Sequence, residues 1–227
     1  MDIHRPKAAH SVREFLIEIG TIICGILIAL GLEQTIELLH WRHVVGEERE
    51  ALKDELGQLR AAMLGRMELE PCFAARLAEV NELIRRHDAG APLGQLGRVG
   101  RALNPNTNKP LWELGVADQS LAHMTLKEKR RFIEAYNWVD VYRVNTTHES
   151  EAWRSLQVLN HAAVLSPADW SQVRKDYEEA SSVHWIIASS FPTWMAPIKA
   201  LATEAPSRNL RQYEPVKAFC TPMLATK

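Results

Sequence analysis

The stretch that most constrains this chain is "EIGTIICGILIALGLEQ", residues 18–34, an apolar run held between Glu18 and Glu33. The fourteen residues between those glutamates carry no charge, which is about 21 Å of helix at ~1.5 Å per residue. A bilayer core asks for roughly 30 Å, or about 20 residues. Extension from Phe15 to Leu39 supplies that length but takes in Glu18, Glu33 and Glu37. A glutamate near the end of a span reaches the headgroup layer, whereas one at its centre costs ~2–3 kcal/mol or more. Glu18 and Glu33 lie at the ends.

Two other structures compete. Apolar runs of ~10–14 residues also form buried core helices. A cleaved signal peptide would use Arg5, Lys7 and Arg13 as its basic start and Ala29-Leu30-Gly31 as its cleavage site. Against it, Glu18 intrudes where the apolar region should begin, and the helical pattern runs past Gly31 into "LEQTIELLHWRH". Trp41, Arg42 and His43 then read as interfacial anchors. The reading adopted is a retained span: residues 1–14 a cytoplasmic segment, 15–40 a transmembrane helix, 41–227 a helical domain outside the membrane.

The remainder reads as all-α, the span continuing into a small antiparallel helical bundle. From Glu33 to Glu70 only isolated glycines interrupt the helix, and Pro71 stops or kinks it. Leu52, Leu56, Leu59 and Met63 form an apolar seam that Arg66 interrupts. A second helix follows over 72–87, then the Gly/Pro/Asn-rich loop "HDAGAPLGQLGRVGRALNPNTNKP". Thr125-Leu-Lys-Glu128 is a capping box, opening a helix with Phe132, Tyr136, Val139 and Tyr142 inward, extended by Trp153, Leu156 and Leu159. Ser166 caps the next helix, with Pro167 at its first position. There Trp170, Val173, Tyr177, Ala180, His184, Ile187 and Phe191 recur at threes and fours, until Pro192 and Pro197 kink or end it. No segment sustains a period of two.

"REFLIEIGTIICGILIALGLEQTIELLHWRHVVGEEREALKDEL" resembles the amino terminus of a bacterial family of single-span membrane proteins of unknown function. Those proteins share a Glu-Ile pair, a Gly-Ile-Leu-Ile-Ala-Leu core and a long charged helix leading away. "LWELGVADQSLAHMTLKEKRRFIEAY" is similar to their second segment. That segment has a short helix with a Ser-Gly turn, a leucine, and then a helix containing tyrosine. Here Val116-Ala117-Asp118 stands in place of the Ser-Gly pair. The resemblance covers about a third of the chain. It implies location, the bacterial inner membrane, and topology, but no activity.

Orientation is a tie by basic residues, Arg5, Lys7 and Arg13 before the span against Arg42, Arg49 and Lys53 after it. A basic start with a long domain behind it reads as a signal anchor, so the domain is expected in the periplasm. Cys72 and Cys220 are then the two thiols outside the span. Either they pair or they are inert buried thiols. Pairing would enclose about 148 residues, for which the chain-entropy model assigns on the order of 5 kcal/mol. The tail "EPVKAFCTPM" otherwise looks poorly equipped to hold itself down.

Several function classes fall away. A net charge of -1 offers no basic field for a nucleic acid. The loop glycines at 90, 94, 97 and 100 lack the preceding strand and the Gly-Lys-Ser/Thr of a phosphate loop. Glu37-Leu-Leu-His40, with His43 one turn on, has metal-ligand spacing, yet stands as a single copy where carboxylate-bridged bundles use two. It reads as polar residues at a membrane interface. His184, inside an apolar stripe, reads as a core histidine satisfied by a hydrogen bond. No serine elbow, Cys–His pair or paired catalytic carboxylate stands out, so no enzyme, metal or cofactor is expected.

At ~100° per residue, Glu14, Glu18, Thr21, Gly25, Ala29, Glu33, His40 and His43 share one stripe of the helix. Helices associate in lipid through small residues and partnered polar groups, which makes Glu18, Thr21, Gly25, Ala29 and Glu33 a self-association face. Expected partners are the bilayer, another copy of the span and a further protein. The function expected is a membrane-anchored helical scaffold or sensor. An oligomeric pore or gate formed by the spans is the alternative, and a metal-dependent enzyme a distant third.

Overall fold

A computed structural model describes residues 12–102, 106–204 and 210–224. The amino-terminal segment expected at 1–14 lies outside the described residues up to residue 11. Every regular element is helical: α1 Val12–Met67, α2 Glu70–Asp88, α3 Pro110–Ala117, α4 Leu126–Ser155, α5 Pro167–Lys199 and α6 Glu214–Cys220, with 3₁₀ turns at Ser120–His123, Leu156–Val164 and Leu210–Gln212. The fold is all-α. Among the described residues the only strand-like pairing is an isolated bridge between Leu96 and Leu224. The chain divides into two compact units, 1–48 and 49–227.

In the first unit α1 is one helix long and apolar enough to cross a membrane, and none of its apolar window is buried. Ile22, Ile26, Leu27, Leu30 and Leu32 are all exposed.

The second unit is organised by three rods. Residues 49–67 of α1 run parallel to α4, because Arg49 meets Glu128, Leu52 and Glu55 meet Tyr136, and Arg66 meets Glu149. α5 returns antiparallel to α4: Tyr142 meets Phe191 and Trp194 edge-on, while Glu149 faces His184. α2 is antiparallel to α5 as well, with Phe73 stacked on His184 and His87 on Trp170. Hence α2 carries on in the direction of α1 after a turn at Glu68–Leu69. Pro71 sits in the first turn of α2, where its missing N–H has no helical partner to lose. The N–H groups of Cys72 and Phe73 both donate to the Leu69 carbonyl.

The expected capping box forms, and the expected cap at Ser166 proves to be a second one. Thr125 and Glu128 bond reciprocally at the start of α4, and Ser166 and Asp169 do so at the start of α5. Pro192 and Pro197 do not end α5, which runs on to Lys199. Each proline removes a backbone bond, at ~3 kcal/mol in an isolated helix. Phe191, Trp194, Met195 and Ile198, all buried around them, hold the segment helical by packing. After α3 the chain turns at Gln119, in the left-handed region at φ 64°. The Asp118 carboxylate accepts from the Ser120 N–H there at 2.9 Å.

The seam of α1 is buried in full, Leu52, Leu56, Leu59 and Met63 being at most 3% exposed. Fully burying such a side chain is worth roughly 1.5–3 kcal/mol. A second cluster gathers Phe73, Leu77, Val80, Trp153, Trp170, Val216 and Phe219. The tail is firmly held, contrary to the expectation from its sequence. Arg76, 1% exposed, donates to the carbonyls of Arg98, Phe219 and Thr221 at 3.0, 2.8 and 2.6 Å. Glu79 accepts from the N–H groups of Met223 and Leu224.

Candidate functional site

The residues expected to form a self-association face lie along the first unit. Glu18, Thr21, Gly25, Ala29 and Glu33 are all exposed. Thr21 donates its hydroxyl to the Ile17 carbonyl at 2.8 Å, and Thr35 donates to Gly31 at 2.7 Å. These back-bonds leave the hydroxyls satisfied without a second helix. Around Gly20, Gly25 and Gly31 nothing lies within 4 Å of where a Cβ would stand. The polar end of the run is ordered by its own side chains. Trp41 donates its indole N–H to Glu37 at 3.4 Å, and His43 and Glu47 pair at 3.3 Å. Glu37 thus faces the Trp41 indole, and among the described residues no group of three or more His, Cys, Asp and Glu is placed to hold a metal ion.

In the second unit Cys72, in α2, and Cys220, closing α6, are joined as a disulfide, their Cα atoms 4.8 Å apart. Phe73, the next residue, packs at 4.7 Å between ring centres against Phe219, the residue before Cys220. Cys24 is free and exposed on α1.

The polar centre of this unit is a group that the apolar patterning conceals. Arg66 of α1 is wholly buried. It donates Nε–H to Glu149 Oε2 at 3.0 Å, Nη2–H to Glu149 Oε1 at 2.5 Å, and Nη1–H to Glu70 Oε2 at 3.4 Å. Its guanidinium carbon stands 3.3 Å above the Phe73 ring centre, a cation–π contact in a desolvated place. His184 Nε2 pairs with Glu70 Oε1 at 2.9 Å, while its Nδ1 is 3.9 Å from Glu149 Oε1, beyond hydrogen-bond reach. Four elements, α1, α2, α4 and α5, each supply one charge. Two cations face two carboxylates.

Burial pushes the His184 imidazole down, but the Glu149 and Glu70 carboxylates outweigh it and raise its pKa to about 9. Burial pushes Glu70 up, and His184 with Arg66 still hold it below its ordinary value. Tyr142 is raised by burial, and its hydroxyl has no partner among the described residues. A paired buried group of this kind adds little net stability over apolar side chains of similar volume, yet losing one partner is costly. His184 therefore does have a partner, as its place in the stripe led us to expect, but that partner is a buried carboxylate network. Arg66 does not interrupt the seam. It continues the seam's spacing of threes and fours at residues 59, 63 and 66, and Glu149 does the same on α4 between Thr146 and Trp153. Charged residues in register with two buried stripes were the available signal.

A third polar anchor supports α3. Glu55, 7% exposed, accepts from the Leu111 and Trp112 N–H groups at 2.7 and 3.2 Å and from the Tyr136 hydroxyl at 2.6 Å. A side chain of α1 thus caps a helix 56 residues away, in place of a local cap. Between α3, the Ser120–His123 turn and α4 lies an almost wholly apolar cavity of about 380 Å³.

No family model, curated protein or solved structure matches this chain.

Proposed function

We propose that the chain is a membrane-anchored helical interaction module, a scaffold or sensor, held by one retained span at 15–40 in a bacterial inner membrane. Its helical domain, 41–227, then stands in the periplasm, and the chain is one of the single-span proteins its amino terminus resembles. The observation that carries this is the uncovered apolar stretch of α1. The second unit gathers a buried core of Leu, Ile, Phe and Trp residues, yet more than a dozen large apolar side chains before Trp41 find no cover. In water such a continuous surface is a severe liability, far beyond the few hundred Å² that soluble monomers leave open; in lipid it is the stable state. A disulfide that closes the domain supports an oxidising compartment. We propose no catalytic role.

Two measurements test the reading. Carbonate-washed membranes should retain the full-length chain, with the domain accessible to protease only after the outer membrane is opened. Recovery of a soluble protein beginning at Leu32 would show instead that the run was a signal peptide. The detergent-extracted chain, sized by light scattering after cross-linking in membranes, should be larger than one copy. A monomer with nothing bound removes the interaction module.

A further inference from the structure

Across α3, the Ser120–His123 turn and the start of α4, the second unit leaves an apolar surface open. Leu111, Leu114, Val116, Leu126 and Ile133 are exposed there, Leu126 by 68% and Leu114 by 57%. Val116 and Ile133 line the 380 Å³ cavity, whose walls also include Trp112, Leu121, Met124 and Phe132. Cations border the same face. At ~100° per residue, Leu126, Lys129, Arg130 and Ile133 fall within about 100° of one another on α4, while Lys127 lies ~60° beyond Arg130 at the edge of that arc and Arg131 ~100° beyond it. Among the described residues Lys127, Arg130 and Arg131 have no hydrogen bond or ion pair through their side chains, while Lys129 donates to the Ala122 carbonyl at 3.0 Å. Of the nearby carboxylates, Glu128 is engaged by Arg49 at 2.8 Å and Asp118 by the Ser120 N–H. Glu113 and Glu134 offset part of the positive charge. The first two turns of α4 remain basic.

We infer that this face docks on an anionic bilayer surface, its apolar residues entering the headgroup boundary and its basic residues contacting lipid phosphates. The inference rests on the proposed span. Arg49, which pairs with Glu128, is nine residues past His40, the last residue of that span. Nine residues reach at most ~30 Å, so whatever path 41–48 takes, α4 begins on a short tether to the membrane. Exposed Leu and Ile beside Lys and Arg are the composition of surfaces that lie in the membrane interface, and each basic residue near anionic lipid strengthens attachment.

The test uses the full chain in nanodiscs of phosphatidylcholine alone or mixed with phosphatidylglycerol, read by hydrogen exchange of backbone amides. Residues 111–133 should exchange on the order of tenfold slower in the anionic discs. The double variant K127E/R130E should return them to the neutral-disc rate, with amides of α5 unchanged as the check that the fold is intact. Equal exchange in both disc types, with the chain still resistant to carbonate, overturns the docking surface and leaves the span standing. Release by carbonate overturns both. Protection that appears only when a co-purified protein is added assigns the face to that protein and overturns the lipid reading.

Discussion

Arg66 and Glu149 meet through two hydrogen bonds, at 3.0 and 2.5 Å, where no more than 2% of either residue reaches solvent. Removing one partner strands the other as a buried charge, which costs ~3–5 kcal/mol, whereas replacing both with apolar groups of similar volume can be nearly neutral. Urea unfolding of the detergent-solubilised chain should therefore show Arg66→Met or Glu149→Leu alone losing several kcal/mol and the double variant losing much less. Additive losses would mean that the two charges do not depend on each other.

His184 gives the same centre a pH dependence. Because the folded state raises its pKa to about 9, against ~6.5 in an unfolded chain, the folded protein holds the proton more tightly. The resulting stability is full below about pH 6.5 and is lost as pH climbs through about 9. Glu70, lowered on folding, acts with the opposite sign, its contribution present above the ordinary carboxylate range and lost on acidification. Thermal midpoints across pH should fall on the alkaline side for the parent and stay flatter there for His184→Gln. A parent midpoint that holds level to pH 10 would contradict the His184 pairing.

Unreduced protein should yield one alkylated thiol, Cys24, out of three. Reduction of a cross-link spanning 148 residues should lower the unfolding free energy by up to about 5 kcal/mol in the chain-entropy account. It should not free the tail, because Arg76 and Glu79 still bind its backbone. Amides of 216–224 are expected to stay protected from exchange after reduction and to lose protection in Arg76→Ala. Protection that vanishes on reduction alone would assign the whole attachment to the disulfide.

For the span, Gly25→Leu should weaken association while leaving membrane insertion intact, since nothing in the chain lies within 4 Å of the added Cβ and close backbone approach is what small residues permit. Cross-linking yield in membranes reads the first effect and carbonate resistance the second. A variant that cross-links like the parent removes this stripe as an interface.

The long helices were legible because each left a local mark. Thr125 with Glu128, Ser166 with Pro167, and the threes and fours of Trp170 to Phe191 are properties of neighbouring residues, and neighbours decide capping and amphipathicity. The persistence of α5 through Pro192 and Pro197 was not legible, since packing of Trp194 and Ile198 against other elements outweighs the local penalty. Likewise the tail reads as weak in isolation, its attachment resting on Arg76 and Glu79, more than 130 residues upstream. The Arg66–Glu70–Glu149–His184 group draws one charge from each of four helices, a coincidence that no single stretch displays. Along residues 15–40 the apolar run was legible, and its large side chains stand exposed.

The pairings that set α1 against α4 join residues 79 to 84 apart, and those that set α2 against the tail join residues 142 to 145 apart. Such separations make closure of the core slow compared with the formation of its helices. They also impose an order on a chain made from its amino end. Leu52, Leu56 and Met63 wait uncovered until α4 has emerged, and Phe73 with Arg76 waits for the last dozen residues. During synthesis the domain is an open trough, and the final segment closes it.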